Sequence, residues 1–328
     1  MSDSLQQFDR PSPILAGPGV AAAARRAFLA ARPAFLVASV MPVLIGTTWA
    51  GAALHRFDGW LFGIALGATV LAHAATNVYN HVGDDLIGAD RDNPDRIYPY
   101  TGGSCFIQTG LLSRAQMTRL ALGLAAGALL LGGWLEILRG PGIILLGVAG
   151  LGLGLLYSLP GVQSSARGLG EAAVAIGFGV LPVLGAVWLQ AGFIDSGAIL
   201  VSLPLSAWAA ALLVIDKVPD IEADRRAGKL TLVVRWGGRG ASGARRIYGG
   251  LTAFALAAAG LAIATGALPL WYAPAACGLA ILGFWARRGI STRASQRARL
   301  KSSFELTVFI HALGCIFMSV AILTMGFE

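Results

Sequence analysis

Nine apolar stretches of about 18 to 23 residues recur along this chain, and that recurrence leaves few folds open to it. A helix needs about 20 such residues to cross a bilayer. The stretches lie near residues 33–53, 59–79, 118–138, 141–159, 169–190, 194–215, 247–265, 268–286 and 304–325. Strand-like alternation is absent, and lipid offers backbone groups no partner outside the segment itself, so the spans are helices. The composition agrees: the 328 residues are 56% apolar and only 13% charged, too little charge to cover a water-soluble protein of this size. The expected fold is all-α, a polytopic membrane protein with about nine transmembrane helices around a central cavity.

The basic residues orient these spans. With the N-terminus in the cytoplasm, 23 of the 25 Lys and Arg residues fall on the cytoplasmic side, and only Arg56 and Arg139 fall outside. The net charge of +8 is therefore first a topology signal. It is spread over five membrane-edge segments, which argues against a nucleic-acid partner and for anionic lipid headgroups. Residues 1–19 are largely polar and carry no signal-peptide pattern, so residues 1–32 read as a cytoplasmic segment. Within it, VAAAARRAFLAAR (20–32) has the make-up of a short interfacial helix. Residues 33–328 form the nine-helix domain, in the inner (cytoplasmic) membrane. Cys105, Cys277 and Cys315 have no metal-ligand spacing and read as free thiols.

Nine of the 17 acidic residues fall in two short segments, at the cytoplasmic ends of spans two and six. The first loop, 80–117, carries most of NVYNHVGDDLIGAD (77–90); Asn77, Asn80 and Asp84 stand at i, i+3 and i+7, on one helical face. The second, 216–246, opens with DKVPDIEADRRAGKLTL; Asp216, Asp220 and Asp224 stand at i, i+4 and i+8, with Pro219 predicting an irregularity. Carboxylates crowded at a membrane edge need cations. Oxygen-only ligands on two facing helices suit Mg²⁺, which binds a few carboxylates together with substrate phosphates. Arg96, Arg225, Arg226 and Lys229 lie beside them in sequence and can hold the remaining phosphate charge. The clusters are four spans apart, a spacing that suggests two similar four-helix units meeting across the cavity.

The paired motifs resemble those of the UbiA superfamily of intramembrane prenyltransferases. Within it the chain looks most like the branch that prenylates 1,4-dihydroxy-2-naphthoate in menaquinone biosynthesis. The first motif is matched by Asn77, Asn80, Asp84, Gly88 and Asp90, and the second by Asp220, Ile221, Glu222, Asp224, Ala227, Gly228, Lys229, Thr231, Leu232, Val234 and Arg235. TGGS (101–104) and LYSLP…RGLGE (156–171) extend the likeness, which covers about 33–325. The chain departs from that branch at Asp216–Pro219 and at His81 and Val82, positions that bear on the acceptor.

The resemblance implies a Mg²⁺-dependent enzyme that transfers a polyprenyl group from its diphosphate to an aromatic acceptor at the cytoplasmic face. It implies metal-facing roles for Asn80, Asp84, Asp220 and Asp224, with Asn77, Asp90 and Asp216 near them. Lys229 with Arg225 or Arg226 would meet the diphosphate, backed by Arg96 and Arg167. Tyr157 and Tyr79 are candidate walls for an allylic cation, or plain interfacial anchors. His73 and His311 are intramembrane polar groups, functional by default or else bonded to backbone carbonyls. Glu171 is expected to pair with Arg167, and Gly102 and Gly103 could shape a phosphate-binding turn. Rival readings are another acceptor (4-hydroxybenzoate, homogentisate, a lipid), a membrane terpene cyclase or a secondary transporter. A CDP-alcohol phosphotransferase would need an acidic string that this chain lacks.

Overall fold

The computed structural model describes residues 15, 17–89, 93, 95–97, 100–101, 105–237 and 241–326. Asp90, Gly102 and Gly103 lie outside them. No strand occurs among the described residues. Twelve helices do: α1 (Val20–Ala30), α2 (Val37–Ala52), α3 (Gly59–Ile87), α4 (Arg114–Arg139), α5 (Ile143–Ser158) and α6 (Gly170–Ala191). They continue with α7 (Ser196–Asp216), α8 (Ile221–Arg226), α9 (Leu232–Gly237), α10 (Ser242–Ala264), α11 (Ala273–Ala286) and α12 (Arg297–Met325).

All nine expected spans fall on helices. Among the described residues, seven helical segments are long and apolar enough to cross a membrane: 33–52, α3, α4, α6, α7, α10 and a segment from Ala294 to the end of α12. The fourth and eighth spans are shorter, α5 with 16 residues and α11 with 14, so nine is approximate as a count of full crossings. Large apolar side chains point outward along these helices, among them Leu130 and Ile137 of α4, Leu145 of α5 and Ile281 and Trp285 of α11. Lipid rewards what water would penalise there. The protein is a multi-pass membrane protein.

The core sits around α7, whose residues from Val201 to Asp216 are nearly all buried. Helices α2, α6, α10 and α12 pack on it, and α3, α4 and α5 form a neighbouring group. Small residues permit the closest approaches. A Cβ at Gly179 would lie 2.4 Å from the Ser206 backbone, and one at Gly154 would lie 2.0 Å from the Thr76 methyl. Within α6 the turn Ile176–Val180 widens to a π-helical one just before Pro182, whose missing N–H leaves the regular ladder incomplete.

Candidate active site

Helix α3 carries the first motif past the membrane edge. The Asp58 carboxylate caps its start by accepting from the Trp60 and Leu61 N–H groups, and Gly88, at φ 76°, ends it in the left-handed region that glycine adopts freely. Its 29 residues span about 44 Å at 1.5 Å each, against a hydrocarbon thickness of about 30 Å. The last turns, with Asn80 and Asp84, therefore stand at or beyond the interface. Asn80 Nδ2 donates to Asp84 Oδ2 at 3.3 Å and to Ser158 Oγ, at the end of α5, at 3.1 Å.

The second motif is not the continuous stripe its spacing predicts. Helix α7 ends at Asp216, four residues turn through Pro219, and α8 begins at Ile221. Proline cannot donate the next ladder bond, and the break replaces one helical face with a corner. Asp216, Asp220 and Asp224 are nevertheless all buried.

Two lysines join the motifs. Lys229, 1% exposed, donates from Nζ to Asp84 Oδ1 at 2.6 Å and lies 3.7 Å from Asp224 Oδ1. Lys217 Nζ lies 3.7 Å from both Asp216 Oδ2 and Asp220 Oδ2. Burial by itself lowers the pKa of each ammonium, but the surrounding anionic groups outweigh it and hold both above the usual lysine range. Burial pushes Asp224 up to about 7 against the pull of Lys229 and Lys217, with Asp220 and Asp84 adding repulsion. Burial likewise raises Asp220. The carboxylates thus outnumber the ammonium groups between them, and Asp224 Oδ2 is buried without a hydrogen-bond partner.

Below this rim lies a cavity of about 260 Å³. Asn80, Tyr157, Asp216 and Lys217 stand at one end, and Ala65, Leu135, Ile143 and Leu189 at the other. On α3 these ends are 15 residues apart, about 22 Å. The lining comes from the first six spans and the segment just before them; α10, α11 and α12 pack beyond α7 and contribute nothing to it.

Several expectations change. The Arg167 guanidinium donates to the Gly161 carbonyl at 2.6 Å and is exposed, so it does not pair with Glu171, whose carboxylate oxygens are buried and unpartnered. Arg225 pairs with Glu222 at 2.7 Å on an exposed face, Arg226 is exposed, and Arg96 lies against the Cys105 thiol. Asn77 Nδ2 donates to the Ala31 carbonyl at 3.0 Å and lines the cavity apart from the Asp84–Lys229 contact. Tyr157 does line the cavity, whereas Tyr79 packs in the apolar cluster of α1, α3 and α4. Neither ring nitrogen of His311 has a partner, and His73 bonds a serine hydroxyl instead of a carbonyl.

Two contributors were not singled out from the sequence. The Arg32 guanidinium pairs with Asp216 at 3.0 Å, donates to the Tyr100 carbonyl and lies over the Phe35 ring. Asn93 Nδ2 donates to Asp220 Oδ1 at 2.7 Å. In the sequence Arg32 is one of the charges that orient the spans, and Asn93 carries no motif or periodic signal.

The donors suit a hard cation. Asp84, Asp216, Asp220, Asp224 and Asn80 offer oxygen alone, and one of the Asp224 oxygens is unspent. Among the described residues no three acidic, His or Cys groups already stand close enough to hold a metal.

The sequence matches the model of the UbiA prenyltransferase family over residues 39–313. It is similar to the 1,4-dihydroxy-2-naphthoate octaprenyltransferase of Mycobacterium tuberculosis, with 33% identity over 227 residues covering 69% of this chain and 73% of that protein. The enzyme of that name from Escherichia coli is 31% identical over 212 residues, 63% of this chain and 67% of the relative. Among solved structures, a UbiA homolog from Archaeoglobus fulgidus bound to DMAPP and Mg²⁺ superposes with a TM-score of 0.62 at 16% identity, over 90% of this chain and 99% of that one. The apo structure of a UbiA homolog from Aeropyrum pernix gives 0.63 at 20% identity, over 87% and 97%.

Proposed function

The chain belongs to the UbiA prenyltransferase family, and we propose that it transfers a polyprenyl group from its diphosphate to 1,4-dihydroxy-2-naphthoate, with Mg²⁺, at the cytoplasmic face of the inner membrane. One observation carries this reading: Lys229 ties the α3 carboxylate to the second acidic segment, directly behind Asn80, which bonds Asp84 and lines the polar end of a long apolar cavity. The acceptor is inferred from the relatives named for it, and the face from the distribution of basic residues.

Asp84, Asp216, Asp220 and Asp224, with Asn80, would hold Mg²⁺; when bound, the ion neutralises charge developing on the diphosphate leaving group. Lys229 and Lys217 already stand among these carboxylates and can turn to diphosphate oxygens as charge-assisted donors. Arg225, paired with Glu222, and the exposed Arg226 do not line the cavity. The isoprenoid tail lies along the apolar wall between α3 and α5. Tyr157 and Phe178 offer aromatic faces to the allylic carbon, and the lipid-facing helices keep water from it.

The test is diphosphate release by protein purified in detergent, with geranylgeranyl diphosphate, Mg²⁺ and a panel of aromatic acceptors. Release that needs Mg²⁺ and the naphthoate, and is lost in Asp84→Ala and Asp220→Ala, is the expected result. Release with another acceptor moves the substrate. Release with none points to a cyclase, and no release from folded protein overturns the assignment.

A further inference from the structure

Most polar side chains on the cavity wall are already committed. Thr69 and Thr76 donate back to the Ala65 and His73 carbonyls of their own helix. Asn77 is tied to Ala31, Asn80 to Asp84 and Ser158, and Arg32, Asp216 and Lys217 to one another. Ser39 and His73 are bonded to each other across two helices, with Asn77 beside the imidazole. Serine within a helix commonly bonds back to its own backbone, but Ser39 of α2 reaches across to α3, with Oγ 2.6 Å from His73 Nδ1. Both residues border the cavity and are buried, Ser39 completely and His73 with 6% of its surface exposed.

The pair stands seven residues below Asn80 on α3, about 10 Å deeper than the acidic rim. Past it the wall is alanine, leucine, isoleucine and glycine, with Val43, Pro182 and Thr69, the last bonded back to its own helix. The His73 ring packs against Phe178, 4.3 Å between centroids and tilted 50°, at the widened turn of α6. An isoprenoid tail gains nothing from a hydroxyl and an imidazole, and burying them in a hydrocarbon wall costs free energy unless something bonds them. A hydroxylated aromatic ring would gain. Serine Oγ both donates and accepts, and so does a neutral imidazole, so the pair can meet a ring hydroxyl in either sense while Phe178 packs on the ring.

We propose that Ser39 and His73 form the hydroxyl-recognition point for the aromatic acceptor and set the preference of this protein for a dihydroxylated ring. This rests on the aromatic-prenyltransferase reading above. The competing role is purely structural, a bond that pins α2 to α3.

Steady-state kinetics on wild type, Ser39→Ala and His73→Phe separate the two. The acceptors are 1,4-dihydroxy-2-naphthoate and 1-hydroxy-2-naphthoate, which lacks one ring hydroxyl. The proposal expects kcat/KM for the diol to fall about tenfold, the loss of one hydrogen bond in a buried site, with KM for the prenyl diphosphate unchanged. It also expects the wild-type preference for diol over mono-alcohol to collapse toward the ratio set by intrinsic reactivity. An unchanged preference ratio, or a parallel rise in KM for both substrates, overturns it in favour of the structural role. His73→Gln, which keeps a donor and an acceptor, carries the same comparison if His73→Phe does not fold, and should retain part of the preference. Wild type that uses no aromatic acceptor defeats the functional assignment itself, an outcome visible before any variant is made.

Discussion

At the scale of single residues, the site is a set of charges that tolerate burial only together. Lys229 is almost fully enclosed and has Asp84 at hydrogen-bond distance. Removing one partner of such a pair leaves the other uncompensated, at a cost of about 3–5 kcal/mol, whereas replacing both with apolar or neutral groups can be close to neutral. Asp84→Asn should therefore lower the thermal midpoint in detergent and abolish prenyl transfer. Asp84→Asn with Lys229→Met should recover most of the midpoint and none of the activity. A double variant as unstable as the single would show that the pair is not what holds this region. Arg32 permits a similar argument: Arg32→Ala strips Asp216 of its nearest cation and should weaken transfer more than Arg167→Ala, whose side chain is exposed and bonded to a nearby carbonyl. Comparing specific activity at saturating Mg²⁺ tests this order.

At the scale of elements, two helices meet at the site with no room between them. A Cβ on Gly83 of α3 would lie 2.5 Å from the Ser158 carbonyl oxygen of α5, beside the Asn80–Ser158 bond. Gly83→Ala must push the helices apart, at about 1–3 kcal/mol, and move Asn80 and Asp84 relative to Tyr157. Both the thermal midpoint and transfer should fall. Gly63→Ala, on the same helix with nothing within 4 Å, is the control and should hold or slightly raise the midpoint, since alanine is the better helix former by about 1 kcal/mol. A Gly83→Ala protein as active and stable as the control would mean that α5 yields freely. The acidic corner is an element-scale fact too. The i, i+4, i+8 spacing reads as one helical face, but Pro219 converts it to a turn, and contact with Asp84 comes through Lys229, which no helical periodicity places.

At the scale of the whole molecule, the charge distribution sets an orientation that can be measured. Single cysteines introduced into a cysteine-free background at Arg56 and at Arg226, both exposed, should react with a membrane-impermeant maleimide from opposite sides. In intact cells Arg56→Cys should label and Arg226→Cys should not; the reverse pattern would invert the topology and move the site to the other face. The spans themselves were legible because burial in lipid acts on every residue of a segment. Twenty apolar positions in a row are a strong one-dimensional signal, and positive charge at their ends needs no knowledge of packing. The two Asp-rich segments could be read for a related reason: several carboxylates in a few residues at a helix end are conspicuous in a chain with so little charge. The sequence could not show which cations meet those carboxylates, that the cavity is lined by the first six spans, or that Ser39 faces His73 from another helix. Those facts depend on how helices with nearly uniform apolar surfaces rotate and approach one another. That is decided by small residues, a widened turn and side-chain bonds between positions 34 to 184 residues apart, so only the tertiary structure settles them.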